Sequence, residues 1–465
     1  MTNREGGVDQ EEYRVAAVVD RVNTTAAVWL GLTVGCAQCH SHKYDPIEQR
    51  EYYSLFAFFN NADEVDVIAP LPGEPRTASA AFPPPQDKRK VSAKLKTEKR
   101  ETSVSKAAVL SERVQRRPTH LLIRGDFLRP GVEVQPGVLQ VLHPARFTPE
   151  HPPDRLDLAR WLVDPANPLT ARVTANRIWK HLLGRGLVAS LDDFGTRGER
   201  PSHPELLDWL ASELIRQNWS TKALIRAIVL SSTYRQSSVV RPELASRDPS
   251  NTLLARQARF RLEAEIVRDE ALAASGRLFP VLGGPSFRPP LPADLAALGY
   301  AGSVKWAEST GPQRDRRGLY IFFQRTVPYP MLTTFDAPDS NVSCSRRERS
   351  NTPLQALTLW NDPVFVDCAQ GLARRVLRES SASAALTDRL DLLMSRSLGR
   401  VPTARERERL VSAFREFESR MPDPEARRLT SELSDEFPTV PPAQAFAWIA
   451  IARVVLNLDE FVTRE

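Results

Sequence analysis

Residues 11–34 read EEYRVAAVVDRVNTTAAVWLGLTV, and residues 36–40 read CAQCH. Apolar side chains recur along the first stretch, Val15, Val22 and Leu32 among them, at the spacing of one helical face. We therefore predict an amphipathic helix over residues 11–34 that ends just before the cysteine motif.

A second helix is predicted directly after the motif. Asp45 is a residue type that caps helix N-termini, Pro46 suits the first helical position, and Glu48 follows at the spacing of a capping partner. The predicted helix runs to about residue 60. The motif is therefore expected to form a short junction between two helices.

Helical patterns dominate residues 151–465. Residues 352–355 and 403–406 have capping-box spacing and are expected to begin helices, whereas residues 319–323 are predicted to form a strand. The predicted fold class is mainly α: a multi-helix domain with a small β element, preceded by a short helical segment that carries the motif. The predicted domains are the motif-bearing segment, a Pro-rich and basic linker, the small β element and the large helical domain, at residues 1–65, 66–118, 119–150 and 151–465.

The composition gives no indication of a nucleic-acid-binding protein or of a membrane-spanning protein. The net charge of +6 over 465 residues is too small to indicate nucleic acid binding by itself. No run approaches eighteen consecutive apolar residues, so no membrane span is predicted. Residues 1–7 lack the apolar core of a secretory signal. Cys344 and Cys368 lie far from the motif, and the sequence leaves their state open.

The pattern of Cys36, Cys39 and His40 has a specific chemical meaning. Two thiols at this spacing can form thioethers with the vinyl groups of one porphyrin edge, and the following imidazole can ligate the iron. The sequence therefore predicts one covalently attached haem c on Cys36 and Cys39, with His40 as an iron ligand.

Three alternatives use the same residues. A dithiol oxidoreductase would use the two cysteines, but it needs a strand before the motif. A structural zinc site would recruit the cysteines with one or both of His40 and His42, but no second pair of ligands lies nearby in the sequence. In the third alternative the motif binds nothing.

The sequence leaves the sixth iron ligand open. His42 is too close to His40 to reach the opposite face of a haem, whereas Met331, His181 and His203 are candidates. A Met or His in this position would favour electron transfer, and an open position would favour catalysis.

A second set of ionisable side chains occurs in the helical part, where the apolar pattern does not require it. Its arginines could hold a carboxylate or a sulfate while an acidic residue acts as a general base. The alternative is a set of buried ion pairs that join helices, such as Arg268 with Glu265 or Asp269. The candidate residues are Arg172, Asn176, His203, Glu265, Arg268, Asp336, Arg346, Arg347 and Asn351.

Longer stretches resemble a known pair of domains. Residues 29–47 (WLGLTVGCAQCHSHKYDPI) resemble the end of the planctomycete cytochrome-type domain, domain of unknown function 1549. Residues 167–179 (NPLTARVTANRIW), 261–269 (RLEAEIVRD) and 350–357 (SNTPLQAL) resemble its usual partner, the planctomycete-specific domain of unknown function 1553. The resemblance implies a secreted protein, periplasmic or extracellular, that is linked to polysaccharide degradation. It also implies an N-terminally truncated chain that keeps only the end of the first domain.

Three functions follow from these observations. The first is a c-type haem-bearing extracytoplasmic redox or electron-transfer protein, which serves an unidentified redox partner in polysaccharide processing. The second is a binding scaffold for an acidic or sulfated glycan or for a partner protein. The third is a hydrolase or lyase that uses the Arg/Glu cluster. No nucleic acid partner is expected, and the sequence leaves open whether the chain is an enzyme.

Overall fold

The computed structural model describes residues 9–69, 106–147, 151–244, 246–291, 306–324, 327–340, 343–344, 346–420 and 424–464. The chain folds into two compact units, Met1–Gln257 and Ala258–Glu465. This boundary falls inside the segment that the sequence analysis treats as one helical domain, residues 151–465. The domain boundaries at residues 65, 118 and 150 stay predictions.

The described residues are mainly α-helical, which confirms the predicted fold class. The first unit contains α1 (Gln10–Thr25), α2 (Gln49–Asn60), α3 (Arg155–Leu162), α4 (Thr170–Leu183), α5 (Pro204–Arg216) and α6 (Thr221–Val229). The second unit contains α7 (Ala264–Ala274), α8 (Pro330–Thr334), α9 (Pro353–Asn361), α10 (Pro363–Glu379), α11 (Leu386–Leu398), α12 (Ala404–Ser419), α13 (Pro424–Glu436) and α14 (Pro442–Leu456). Three antiparallel two-stranded ribbons are β1 (Ala62–Ile68) with β2 (Lys106–Glu112), β3 (His120–Leu122) with β4 (Pro130–Glu133), and β5 (Phe260–Arg261) with β6 (Thr463–Arg464).

The packing of α1 against α2 forms one core of the first unit. The Asp9 carboxylate caps α1 by accepting hydrogen bonds from the backbone N–H groups of Glu11 and Glu12. Val18 and Val22 on α1 are buried against the aromatic side chains of α2. Burial of each of these valines contributes roughly 1.5–3 kcal/mol.

The first helix ends earlier than predicted. Regular α-helix stops at Thr25, and a π-helical turn over Ala26–Leu30 follows. Gly31 then reverses the chain with a φ of +61°, and a Cβ at this position would lie 2.9 Å from Cγ2 of Val173. Because only glycine combines this backbone conformation with such close packing, the helix ends before residue 34.

The predicted start of the second helix is wrong. Glu48, rather than Asp45, is the N-cap of α2, and its side chain forms a capping box with Glu51. The Asp45 carboxylate is buried and engaged elsewhere in the first unit. Local spacing suggested the wrong cap because a tertiary contact takes the carboxylate.

The predicted linker, residues 66–118, contains a strand that the sequence pattern did not indicate. β1 reaches into this segment and pairs with β2, which lies about forty residues later in the sequence. A partner at this distance leaves no local turn signal. The Pro-rich and basic stretch, residues 83–100, lies outside the described residues. The predicted small β element is confirmed by β3 and β4.

Two predictions in the second unit have opposite outcomes. The strand predicted over residues 319–323 is wrong, because a 3₁₀ turn occupies Gly318–Tyr320 and only one isolated bridge joins Ile321 to Phe287. Both capping boxes are confirmed, at the starts of α9 and α12. Capping depends on local side-chain spacing, whereas strand formation needs a distant partner.

The second unit is built around α10 and α14. Leu372 and Val376 of α10 and Trp448 and Ile451 of α14 belong to one buried cluster. α14 is apolar on nearly all sides because neighbouring helices cover it. None of the helices that the structure describes is long and apolar enough to span a bilayer.

Leu372→Ala is expected to lower the free energy of unfolding of the second unit by about 2–5 kcal/mol, since it leaves a cavity in this cluster. Leu354→Ala is the matched control, because Leu354 is 58% exposed on α9 and its truncation should change stability by less than about 0.5 kcal/mol. Urea denaturation followed by circular dichroism measures both changes. Equal losses would contradict the described core.

Candidate functional site

The cysteine motif lies in a surface segment between the π-helical turn and α2. A 3₁₀ turn spans Val34–Gln38, and the backbone N–H of Cys39 donates to the Cys36 carbonyl at 3.3 Å. Both cysteines are exposed and neither forms a disulfide. The motif therefore presents two free thiols to solvent.

The His40 imidazole is also exposed, and its backbone neighbour orients it. Nδ1 of His40 lies 2.7 Å from the carbonyl oxygen of Ser41. Nδ1 must carry a proton to donate this hydrogen bond, so in the neutral imidazole the lone pair is on Nε2. Ligating histidines commonly have this arrangement, in which one ring nitrogen donates to a carbonyl and the other binds the metal.

Side chains of α2 form hydrogen bonds with the backbone of the motif. The Tyr53 hydroxyl and the Gln49 side-chain amide both donate to the carbonyl of Gln38, at 2.8 and 3.1 Å. Burial, with a smaller contribution from Cys39, raises the pKa of the Tyr53 phenol. The phenol therefore keeps its proton at neutral pH and holds the carbonyl that lies between the two cysteines.

The β3–β4 connection flanks the second sulfur. Gly125 has a φ of +75°, and a Cβ at this position would lie 2.9 Å from Sγ of Cys39 and 3.3 Å from Cγ of Gln38. The small β element therefore approaches the motif closely because residue 125 is glycine.

His42 and Asp45 have structural contacts within the first unit. Nδ1 of His42 accepts a hydrogen bond from the backbone N–H of Asp45 at 2.9 Å. The Asp45 carboxylate in turn accepts from the backbone N–H and the hydroxyl of Thr196, at 2.7 and 2.8 Å. A zinc ion bound through Nδ1 of His42 would have to displace the first of these bonds.

Both ends of the motif segment are bound to the same turn. The backbone N–H of Phe194 donates to the Gly31 carbonyl at 2.7 Å, and Thr196 holds Asp45 after the motif. A buried carboxylate that accepts two hydrogen bonds stabilises its position more strongly than an exposed one. The turn at residues 194–196 therefore fixes the separation between Gly31 and Asp45, which bracket the cysteine motif.

Arg177 of α4 holds the π-helical turn that precedes the motif. Its guanidinium donates to the carbonyls of Ala27, at 2.5 Å, and of Val28, and also to that of Leu191, at 3.2 Å. The last four carbonyls of a helix lack intrahelical partners, and a cation there is favourable. Although burial lowers the pKa of Arg177, a guanidinium keeps its proton in proteins.

The three candidate residues of the second set that lie in the first unit make separate contacts. Arg172 pairs with Asp208 at 2.6 Å on the surface. The Asn176 side chain makes two hydrogen bonds, both 2.9 Å, to the backbone of Val188. His203 precedes α5, and its Nδ1 lies 3.0 Å from a neighbouring serine hydroxyl. The structure does not bring these three side chains into one pocket.

Two of the six candidates in the second unit, Asp336 and Arg347, line one cleft of about 230 Å³, and two more, Glu265 and Asn351, bind arginines that line it. Arg347 binds the Glu265 carboxylate through two hydrogen bonds, at 2.7 and 3.1 Å. Asp336 lines the cleft and accepts from the backbone and the hydroxyl of Ser350, while Asn351 accepts from the Arg261 guanidinium. Arg261 is not among the candidate residues predicted from the sequence, because its contact with Asn351 forms only in the fold.

The other two candidates in the second unit are placed differently. Arg268 is fully buried and donates to the carbonyls of Arg314 and Arg316. The suggested pairing of Arg268 with Glu265 or Asp269 is wrong, because Glu265 pairs with Arg347, and Asp269 with Arg317 at 3.1 Å. Arg346 is exposed, 3.8 Å from the nearest carboxylate oxygen of Glu348.

The candidates for a sixth iron ligand have different environments. Met331 is buried in the core of the second unit, and His181 is exposed in the last turn of α4. Each of these assignments stays a prediction. The aromatic residues Tyr52 and Phe56 of α2 are part of the core of the first unit.

Gly125→Ala is expected to slow alkylation of Cys39 relative to Cys36 in folded, haem-free protein, because the added methyl would crowd the Cys39 sulfur. Gly283→Ala is the matched control, since Gly283 has the same φ of +75° with nothing within 4 Å of an added Cβ. Both variants carry a backbone cost of about 1–2 kcal/mol. Mass spectrometry of cysteine peptides after timed iodoacetamide treatment measures the rates. An unchanged Cys39 rate in Gly125→Ala would contradict the contact.

Comparison with known proteins assigns the chain to a family. Residues 154–414 match PSD1, a protein of unknown function (DUF1553), and residues 1–64 match PSCyt2, a protein of unknown function (DUF1549). The order of the two matches is the one that the sequence resemblance implied. No curated protein and no solved structure matches the chain. Because the PSD1 match covers more than half of the 465 residues, this chain belongs to the PSD1 family, with a PSCyt2 segment ahead of it.

Proposed function

We propose that this chain is a c-type haem protein with an extracytoplasmic redox or electron-transfer role. In this proposal Cys36 and Cys39 hold the haem through thioethers, and His40 ligates its iron. One observation supports this proposal above all. Two free thiols and one imidazole are exposed together, and Nδ1 of that imidazole donates a hydrogen bond to the Ser41 carbonyl. A bound haem supplies one-electron redox chemistry.

The described residues fit such a group on three counts. Thioether formation needs reduced, accessible sulfurs, and both cysteines are free and exposed. Iron ligation needs a neutral imidazole nitrogen with a free lone pair, which the hydrogen bond to Ser41 leaves on Nε2. The carbonyl of Gln38, between the cysteines, accepts hydrogen bonds from Tyr53 and Gln49 of α2. The backbone that sets the spacing of the two thiols is therefore ordered before any ligand binds.

The side chains around the motif have positioning roles in this proposal. Tyr53 and Gln49 hold the backbone between the two sulfurs, and the Ser41 carbonyl fixes the tautomer of His40. Asp45 fixes the end of the segment through Thr196. A ligand site whose backbone is already ordered loses less conformational entropy when it binds.

The dithiol and zinc alternatives receive less support from the geometry. A π-helical turn and a 3₁₀ turn precede the second cysteine, whereas a dithiol oxidoreductase would have a strand before the motif. His42 uses Nδ1 to accept a backbone hydrogen bond, so zinc coordination by this atom would break an existing contact.

The hydrolase or lyase alternative rests on the Arg/Glu cluster of the second unit. Arg347 holds the Glu265 carboxylate through two hydrogen bonds, which occupy its oxygens. No observation in the described residues favours a general-base role for Glu265. The redox partner, the polysaccharide connection and the periplasmic or extracellular location stay predictions of the sequence analysis.

Replacement of both motif cysteines, Cys36→Ala with Cys39→Ala, is expected to abolish covalent haem in protein that is exported together with haem maturation machinery. Cys344→Ala is the matched control, because Cys344 is also an exposed free cysteine but lies outside the motif. A pyridine haemochrome spectrum and the intact mass, which should rise by one haem in the wild type and the control, measure the outcome.

Zinc analysis of the same samples separates the alternatives. The proposal is contradicted if the wild-type chain lacks a haemochrome band after export with the maturation machinery. Stoichiometric zinc that disappears in the double cysteine variant would assign the motif to a zinc site instead.

A further inference from the structure

The ribbon of β5 and β6 places an aromatic ring beneath two arginines in the second unit. The register pairs Phe260 with Arg464 across the two strands. The guanidinium carbon of Arg349 lies 4.4 Å from the centre of the Phe260 ring, and that of Arg464 lies 5.3 Å from it. One ring therefore orders two cations that reach it from separate parts of the chain.

Most other charges beside this ribbon have partners within the protein. Arg347 pairs with Glu265 at 2.7 Å and with Glu263 at 3.3 Å. Arg261 donates to Asn351 at 2.6 Å and lies 3.7 Å from Asp459.

The Asp336 carboxylate also lines the cleft. It accepts from the backbone N–H of Ser350 at 2.7 Å and from the Ser350 hydroxyl, which lies 2.8 and 2.9 Å from its two oxygens. Among the described residues, Asp336 forms no ion pair with Arg349.

Arg349 lines the cleft of about 230 Å³ together with Arg261 and Arg347, but it differs from these two arginines in its contacts. Its Nε is buried without a hydrogen-bond partner, and among the described residues no carboxylate forms an ion pair with it. Burial lowers the pKa of Arg349, the charge of Glu263 raises it, and the charge of Arg464 lowers it by a smaller amount. A half-buried guanidinium that lacks a hydrogen-bonded anion is stabilised when one binds.

Three arginines (Arg261, Arg347 and Arg349) and three acidic residues (Glu263, Asp336 and Glu348) line the cleft. We propose that the cleft binds an oxyanion, a sulfate or carboxylate group, through the guanidinium of Arg349 above Phe260, because Arg261 and Arg347 already have partners. The planar donor fork of an arginine suits two oxygens of such a group. The Phe260 ring keeps the fork in one orientation, so little side-chain entropy is lost when the anion binds.

The oxyanion could be free in solution or carried by a saccharide. The chemistry at Arg349 is the same in both cases, and the experiment distinguishes the two sources. This site lies in the second unit and does not depend on the proposed haem, so either proposal can fail without the other.

Isothermal titration calorimetry of the full-length chain tests the site with three probes: sodium sulfate, a sulfated tetrasaccharide and its desulfated counterpart. We expect the wild type to bind a sulfated probe and not the desulfated saccharide. Arg349→Gln is expected to weaken binding at least about tenfold, which corresponds to about 1.4 kcal/mol. Arg346→Gln is the matched control, because Arg346 is an exposed arginine three residues away that does not line the cleft.

Each outcome decides the proposal or the source of the anion. Binding of inorganic sulfate as tight as that of the saccharide assigns the site to a free ion, whereas much tighter saccharide binding assigns it to a polymer-borne group. Arg349→Lys keeps the charge but loses the planar fork, so intermediate binding is expected, and circular dichroism verifies that each variant is folded. Absence of wild-type binding to both sulfated probes, or equal binding by Arg349→Gln, would overturn the proposal.

Discussion

The hydrogen bonds from the Arg177 guanidinium to backbone carbonyls are the interaction on which the first unit depends. They satisfy the carbonyls of Ala27 and Val28 at the end of a helix, where no intrahelical donor is available. The same guanidinium reaches the carbonyl of Leu191, in the segment that leads to the 194–196 turn. One side chain therefore joins the helix before the cysteine motif to the turn that holds both ends of the motif.

Contacts within the first unit cross the boundary between the two matched families. The PSCyt2 match ends at residue 64 and the PSD1 match begins at residue 154. The contacts to Ala27, Val28, Gly31 and Asp45 nevertheless come from the Arg177 side chain, the Phe194 backbone and Thr196, which all lie in the PSD1 region. The exposed thiols of the motif thus depend on a backbone that the PSD1 region orders. We infer that the motif segment and the first helices of the PSD1 region act as one structural unit.

Features that depend on local spacing could be predicted from the sequence, and features that depend on distant partners could not. The capping boxes at Thr352 and Thr403 and most of the helices follow from neighbouring residues. The strand over residues 106–112 has no local signal because its partner is remote in the sequence. The spacing around Asp45 predicts a helix cap, because the contact of Asp45 with Thr196 spans 151 positions and leaves no local pattern. In the site, the sequence identified the cysteines and His40 by their spacing. It gave no signal for Gly125 or Arg349, whose roles arise only from contacts in the fold.

Hydrogen–deuterium exchange of the full-length chain tests most directly whether distant side chains order the cysteine motif. Arg177→Gln removes the contacts to Ala27 and Val28, whereas Arg172→Gln, on the same helix, removes only a surface pair with Asp208 and a carbonyl contact within its own segment. The account predicts faster amide exchange across residues 27–45 in Arg177→Gln and unchanged exchange there in Arg172→Gln. Unchanged exchange across residues 27–45 in both variants would contradict it.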